Sequence, residues 1–218
     1  MDVENETVTV NHNNLKLVLA SASIRRLELL RQIGVEPDYI YVTNVDETPK
    51  YREHPRFLAK RLARNKAYEA YLHVSRLEEY SNSLFLAADT VVSVGRLLLP
   101  KPTNVTEAME CIKLLSGRTH KVYTALAMIN QKGKCFFKVS ENRVRFARLK
   151  PHEMEAYVKS YEWQDKAGGY AIQGLASSFI VRIVGTQSGV MGLPLHSTVE
   201  LLESHGYKLM GNWQSNGF

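Results

Sequence analysis

The sequence predicts a single α/β domain: a mixed, twisted central sheet flanked by helices, with two lobes around a cleft. Three observations lead there. Leu15–Gly34, LKLVLASASIRRLELLRQIG, reads as strand, tight turn and helix. Two long strand candidates, His120–Asn130 and Lys134–Leu149, stand among helices without the regular βαβ repeat of a doubly wound sheet. No Pro/Gly/Ser linker or internal repeat divides the chain. Residues 15–208 are therefore expected to form the domain, residues 1–14 a loose extension whose ETVTV suits an edge strand, and residues 209–218 a polar tail.

The first strand is the apolar run Leu15, Leu17, Val18, Leu19 and Ala20, ending in the polar turn Ser21-Ala22-Ser23. Arg25 and Arg26 open a helix carrying Leu27, Leu30 and Ile33, and Gly34 can end it in a left-handed conformation. Such a turn aims backbone N–H groups at an anion, with guanidinium donors in support. An ordinary corner with solvated arginines fits the segment as well. Tyr39, Tyr41 and Val45 favour a strand over Asp38–Val45, which closes in the turn Asp46-Glu47-Thr48-Pro49. Residues 54–73 read as a helix from Pro55, with Ala59, Leu62, Ala63, Ala67 and Ala70 as its apolar stripe. Lys66 falls within that stripe; snorkelling past the core edge is the commoner fate of such a lysine, and pointing into a cleft is the other.

Ser83–Ala88 is a buried-strand candidate that delivers Asp89 and Thr90, Val91–Val94 continues extended, and Gly95 turns the chain into Leu97–Leu99. Pro100 and Pro102 restrict the backbone around Lys101. Asn104 and Glu107 have capping-box spacing for a helix to Leu115 that buries Ala108, Cys111, Ile112 and Leu115, with Gly117 at its end. Gln131-Lys132-Gly133 joins the two long strands, and Pro151 suits the first position of a helix with Met154, Tyr157 and Val158 inward. The loop WQDKAGGYAIQG spans 163–174. A strand at Ser178–Val184, a glycine-containing connection at Gly185–Gly192 and a helix at Pro194–His205, with Leu195, Thr198, Val199 and Leu202 inward, complete the expectation.

With 44% hydrophobic and 23% charged residues, the 218-residue chain reads as soluble and globular. No apolar run approaches the roughly 18 residues of a membrane span, so no membrane partner is expected. The polar N-terminus lacks the apolar core of a secretory signal. Cys111 and Cys135, without a CxxC spacing or a histidine partner, read as free thiols of a cytoplasmic protein. The formal charge of +6 suits an anionic ligand. Nucleic acid is not the expected partner, because no zinc finger, RNP pattern or basic tail is present.

Carboxylates end several extended segments: Asp46 and Glu47, Asp89, and Asp165. Lys66, Lys101 and Lys166 accompany them, and with Ser21, Ser23, Arg25 and Arg26 they make a set suited to a polyphosphate and a divalent cation, Mg²⁺ or Mn²⁺. A carboxylate near such a cation can orient or deprotonate an attacking water. GxSxG, HExxH and GxxxxGK[ST] are absent, and the histidines are scattered. Each residue also has a purely structural reading: Asp89 capping a turn, Glu47 in a surface turn, Lys166 solvated, Gln173 satisfying backbone groups, and His120 hydrogen-bonded internally.

The motifs SASIRRLELL, DET, LARNKA, AADTVV, KP, LSGRTHKVYTA, DKAGGYAIQG and VMGLPL occur in the order of the Maf family, and the likeness spans Leu17–Leu202. The chain thus resembles the Maf-like nucleoside triphosphate pyrophosphatases, historically described as septum-formation proteins. The resemblance implies a Maf/ITPase-like α/β fold with a nucleotide-binding cleft, a divalent metal, a cytoplasmic location and a homodimer. By motif, Ser21, Arg25 and Arg26 are similar to the family's phosphate-binding turn, with Thr90 and Gln173 as further substrate contacts. Asp89 looks like its catalytic acid/base, with Glu47, Lys66 and Lys101 as catalytic partners and Glu47 and Asp89 as metal ligands. DKAGGYAIQG resembles the dTTP/UTP subgroup, whereas the related 7-methyl-GTP subgroup carries glutamate in place of Gln173. The alternatives are a pyrophosphatase for modified or other nucleotides and a nucleotide-binding regulator of division. Ile24 stands where the family usually has proline, and Pro100 where glycine is common; neither change removes a charged group.

Overall fold

Leu17, Val18, Leu19 and Ala20 are fully buried, and the first three belong to β1 (Lys16–Leu19) at the heart of the sheet. The computed structural model describes residues 15–209; the expected extension 1–14 and residues 210–218 of the expected tail lie outside the described residues. Leu209, expected to begin that tail, is instead fully buried in the cluster with Leu30 and Leu202. After β1 come α1 (Ile24–Gln32), β2 (Tyr39–Ile40), α2 (Pro55–Val74), β3 (Ser83–Val94), β4 (Leu97–Leu99) and α3 (Val105–Leu115). The second half holds β5 (Thr119–Ile129), β6 (Cys135–Phe146), α4 (Pro151–Lys159), β7 (Ile180–Val184), α5 (Gln187–Met191) and α6 (Leu195–Glu203).

Among the described residues, seven strands form one sheet in the order β2-β1-β3-β5-β6-β7, with β4 folded back on β3. β2, β1 and β3 run parallel, whereas β3, β5, β6 and β7 pair antiparallel, so the sheet is mixed as expected. Alternation along β3 divides its side chains. Phe85, Ala87 and Val91 pack with the apolar stripe of α2, while Leu84, Leu86 and Ala88 join the cluster that includes Leu30 of α1 and Leu202 of α6. A third cluster gathers Ile112 of α3, Tyr157 of α4 and Trp163 near the far end of β5 and β6. Asp89 has the parity of Phe85 and Ala87, which directs it toward α2.

β1 stops at Leu19 while its neighbour β3 continues, which opens a crevice beyond the carboxyl end of β1. The same stop explains why the expected strand Asp38–Val45 shrinks to β2. Val18 and Leu19 pair with Tyr39 and Ile40, Tyr41 N–H donates to the Leu19 carbonyl, and the neighbouring chain then turns away. Three further boundaries differ from expectation. Leu175–Phe179 forms a 3₁₀ turn ahead of β7, and the connection 185–192 contains α5, whose start is capped by the Thr186 side chain accepting from Gly189 N–H. In α6 the buried face is Thr198, Leu201 and Leu202, with Leu195 and Val199 only partly covered.

His120 on β5 is the buried imidazole beneath the 163–174 loop. Its Nε2 lies 2.8 Å from the Tyr170 hydroxyl, its ring meets Phe146 edge-on, and its Nδ1 has no hydrogen-bond partner among the described residues. Burial pushes its pKa down to about 4, so the folded protein holds it neutral. An unfolded chain takes up a proton near pH 6.5 that the folded chain refuses. Its contribution is therefore complete above pH 6.5 and is lost as pH falls toward 4, a difference of about 3 kcal/mol. Thermal unfolding across this window is expected to show a falling midpoint, with a shallower slope in His120→Gln. An unchanged slope in that variant would assign the acid sensitivity to other groups.

Candidate functional site

Past the last sheet hydrogen bond of β1, from Ala20 N–H to the Leu86 carbonyl, the chain tightens into the Ser21–Ser23 turn. The Ser21 hydroxyl is buried and accepts from Ser23 N–H at 3.2 Å, which closes the turn on itself. Ser23 caps α1 without a side-chain hydrogen bond, so the helix start is not closed from within. Ile24 occupies the first helical position, 72% exposed; proline suits that position, and the helix begins there with isoleucine all the same.

The two arginines of α1 have different surroundings. Arg26 donates from Nε to the Gly192 carbonyl (2.9 Å), from Nη1 to Ser21 Oγ (3.1 Å) and from Nη2 to Thr90 Oγ1 (3.4 Å). Thr124 gives its hydroxyl proton to the Gly189 carbonyl (2.8 Å), so Thr90 must donate to Thr124 (3.0 Å) and accept from Arg26. This chain of donors ties α1, β3, β5 and the segment after β7 to one guanidinium. Arg25 has a looser hold, a 3.4 Å contact from Nη2 to the Asp165 carbonyl. Burial lowers the pKa of both arginines, yet a guanidinium stays charged.

Across the crevice, Lys66 does not snorkel. Its Nζ lies 2.6 Å from Glu47 Oε1 and 2.6 Å from Asp89 Oδ1, and its side chain is 10% exposed. The stripe of small alanines around it lets α2 approach β3 closely, so the lysine head emerges at the carboxylate that β3 presents. Burial pushes the Asp89 carboxyl above the usual range, against the opposing pull of Lys66 and Arg26. For Glu47 the balance reverses: partial burial raises it, but the Lys66 hydrogen bond and charge, helped by Lys101 and Arg26, hold it below the usual range. Lys101 Nζ stands 4.0 Å from Glu47 Oε2 and is over half exposed.

Glu47 arrives on a loop laid along α2. Glu69 accepts from Asn44 N–H at 3.1 Å, Asp46 Oδ1 from Thr48 N–H at 2.9 Å, and Arg61 donates to the Thr48 carbonyl while pairing with both oxygens of Glu53. Asp46 thus shapes the turn, and Glu47 alone of the acidic pair faces the cleft.

The cleft encloses ≈ 610 Å³, and Ser21, Arg25, Arg26, Glu47, Lys66, Asp89, Thr90, Lys101 and Gln173 all line it. With Asp165 and Lys166, five cationic side chains face three carboxylates, leaving two positive charges to be matched by a ligand. One wall is apolar, built from Val92, Val122, Tyr170 and Ile172. Sequence reasoning missed this wall, as well as Thr124 and the Gly189 and Gly192 carbonyls, because strand valines and a threonine among apolar residues look like ordinary core. Glu47 and Asp89 already converge on one compact cation, the Lys66 ammonium, so their hard oxygens fit a Mg²⁺-like ion. Among the described residues no three His, Cys, Asp or Glu side chains converge, so such an ion would take its remaining oxygens from water or ligand.

The chain is also similar to known proteins. The family described as "Maf: Maf-like protein" matches residues 16–205. A dTTP/UTP pyrophosphatase of Bartonella quintana (strain Toulouse) is 54% identical over 206 residues, covering 91% of each chain. Those of Chelativorans sp. (strain BNC1) and Brucella abortus (strain 2308) are 54% and 52% identical over 198 residues, covering 91% of this chain and 95% of theirs.

Gly192 gives a direct test of the Arg26 anchor. Its φ of +113° disfavours a side chain, and a Cβ there would sit 3.0 Å from Thr90 Oγ1 and 3.5 Å from Arg26 Nε. Gly192→Ala is expected to destabilise the protein by about 1–3 kcal/mol, which thermal unfolding would read as a fall of several degrees. An unchanged midpoint would show that this carbonyl does not depend on the left-handed glycine.

Proposed function

The chain belongs to the Maf family, and from that premise we propose that it hydrolyses dTTP and UTP to the nucleoside monophosphate and diphosphate. The observation that carries the reading is the facing pair of charge clusters: the Glu47–Lys66–Asp89 bridge on one side and the arginine-bearing turn after β1 on the other. Their separation of roles suits a bound triphosphate. The turn and Arg25 take phosphate oxygens, with Arg26 held rigid by its three partners so that it keeps its position as charge develops. The apolar wall of Tyr170 and Ile172 receives the flat face of a base, and Gln173 offers both a donor and an acceptor to its edge.

Water attacks the α-phosphorus, the bond to the β-phosphate oxygen breaks, and diphosphate departs. Asp89 is the group best placed to take the water's proton, because burial makes its carboxylate more basic while Lys66 keeps it ordered. Lys66 and Lys101 offset negative charge on the phosphoryl oxygens. Glu47 and Asp89 would hold a divalent cation, which when bound supplies charge neutralisation at the phosphates and a more acidic water. Residues 15–208 then act as the catalytic unit of a cytoplasmic homodimer, with Cys111 and Cys135 as free thiols. Among the described residues, no helix is long and apolar enough to cross a membrane.

Purified protein incubated with dTTP, UTP, CTP or GTP and Mg²⁺ or Mn²⁺ is expected to release monophosphate and diphosphate, fastest from dTTP and UTP. Orthophosphate with nucleoside diphosphate, or no turnover, would overturn the reading. Asp89→Asn keeps an acceptor for Lys66, so it is expected to fold and bind nucleotide while turnover falls about 10²-fold or more. Near-normal turnover in that variant would remove Asp89 from proton transfer.

A further inference from the structure

The loop that carries Gln173 is fastened on both sides of it. Upstream, the Tyr170 hydroxyl meets His120 Nε2 at 2.8 Å, and Ala171 N–H donates to the Tyr157 hydroxyl at 3.2 Å, both in buried surroundings. Downstream, one carboxylate takes two successive backbone donors: Glu162 Oε2 accepts from Leu175 N–H at 2.8 Å and Oε1 from Ala176 N–H at 3.3 Å. Gly174 lies against that carboxylate so closely that a Cβ would collide with it. Between the two fastenings Ile172 is buried, and Gln173 is the exposed residue.

Gln173 stands on a divide. One side is the charged cleft, and the other is a shallower groove lined by Leu29, Gln32, Gln187, Ser188, Met191 and Leu195. The upstream fastening is set in the core, and its Tyr157 hydroxyl also hydrogen-bonds Glu162, so this one carboxylate reaches both sides of Gln173. The downstream fastening is a half-buried side chain holding the backbone of exposed Leu175 and buried Ala176, and it fixes the direction in which the chain leaves Gln173.

We propose that Glu162 is a specificity-determining positioning residue, whose grip on the Leu175 and Ala176 N–H groups keeps the Gln173 amide turned into the cleft toward the base. The inference rests on the reading that a pyrimidine nucleoside triphosphate occupies the cleft. Glu162 does not line the cleft and touches neither the phosphate turn nor the Lys66 bridge. Its loss should therefore weaken base recognition and leave the chemical step in place. A hydrogen-bonding site that goes slack loses discrimination chiefly in ground-state binding, which appears in KM.

The test is steady-state kinetics with UTP and CTP on the wild type, Glu162→Ala, Glu162→Gln and Gly174→Ala, with thermal unfolding of each. Glu162→Ala is expected to raise KM for UTP about 10-fold with kcat within about 2-fold, and to narrow the preference for UTP over CTP. Glu162→Gln retains an acceptor oxygen and should recover much of the preference. Gly174→Ala leaves Glu162 in the chain but pushes its carboxylate off the loop, so it should reproduce the KM effect and carries the test if Glu162→Ala does not fold. Unchanged KM and preference in the folded variants, or a parallel fall in kcat for both nucleotides, overturns the role of Glu162 alone. A wild type that turns over neither dTTP nor UTP overturns the functional reading and this inference together.

Discussion

A lysine inside the apolar stripe of a helix is the constraint on which the rest of this site depends. Lys66 and Asp89 are buried together and neither would sit comfortably without the other, and the half-exposed Glu47 reaches the same ammonium. An unpaired ammonium or carboxylate at that depth would carry several kcal/mol of desolvation penalty. The pairing therefore fixes the distance between α2 and β3 and draws the Glu47 loop down onto α2. The alanines that flank Lys66 make this possible, because larger side chains would hold the helix too far from the sheet.

The opposite side of the crevice is stabilised differently. Arg26 binds no described carboxylate directly; its hydrogen-bond acceptors are a carbonyl and two hydroxyls. Neutral acceptors orient a guanidinium without cancelling its charge, so its positive field is retained for an anion. The carboxylates are meanwhile engaged by Lys66. A cleft built this way leaves the Arg26 charge without a described carboxylate partner, and the excess of cations over carboxylates along its walls favours a polyanion.

The elements most legible beforehand were those whose signal is local. The stripe of α2, the Asn104 cap of α3 and the long antiparallel pair β5 and β6 follow from periodicity and turn chemistry within a few residues. The elements that departed from expectation owe their form to neighbours. Tyr39–Val45 has strand-like side chains but runs out of partner once β1 ends, and α5 depends on Asn142 of β6 accepting from Thr186 N–H as well as on its own cap. The fate of Lys66 belongs to the second kind: a helical wheel shows where a side chain points, while what it meets there is supplied by another strand.

By itself the sequence determined the mixed α/β architecture, the charged groups of the cleft and, through ordered motifs, the family, since these lie in short contiguous patterns of residue type. Tertiary structure alone decided that the wall beside Gln173 is apolar and that Thr90 passes the hold on Arg26 to Thr124. Each of these is a contact between residues far apart in the chain, whose geometry is set by strand register and helix packing and leaves no local pattern to read.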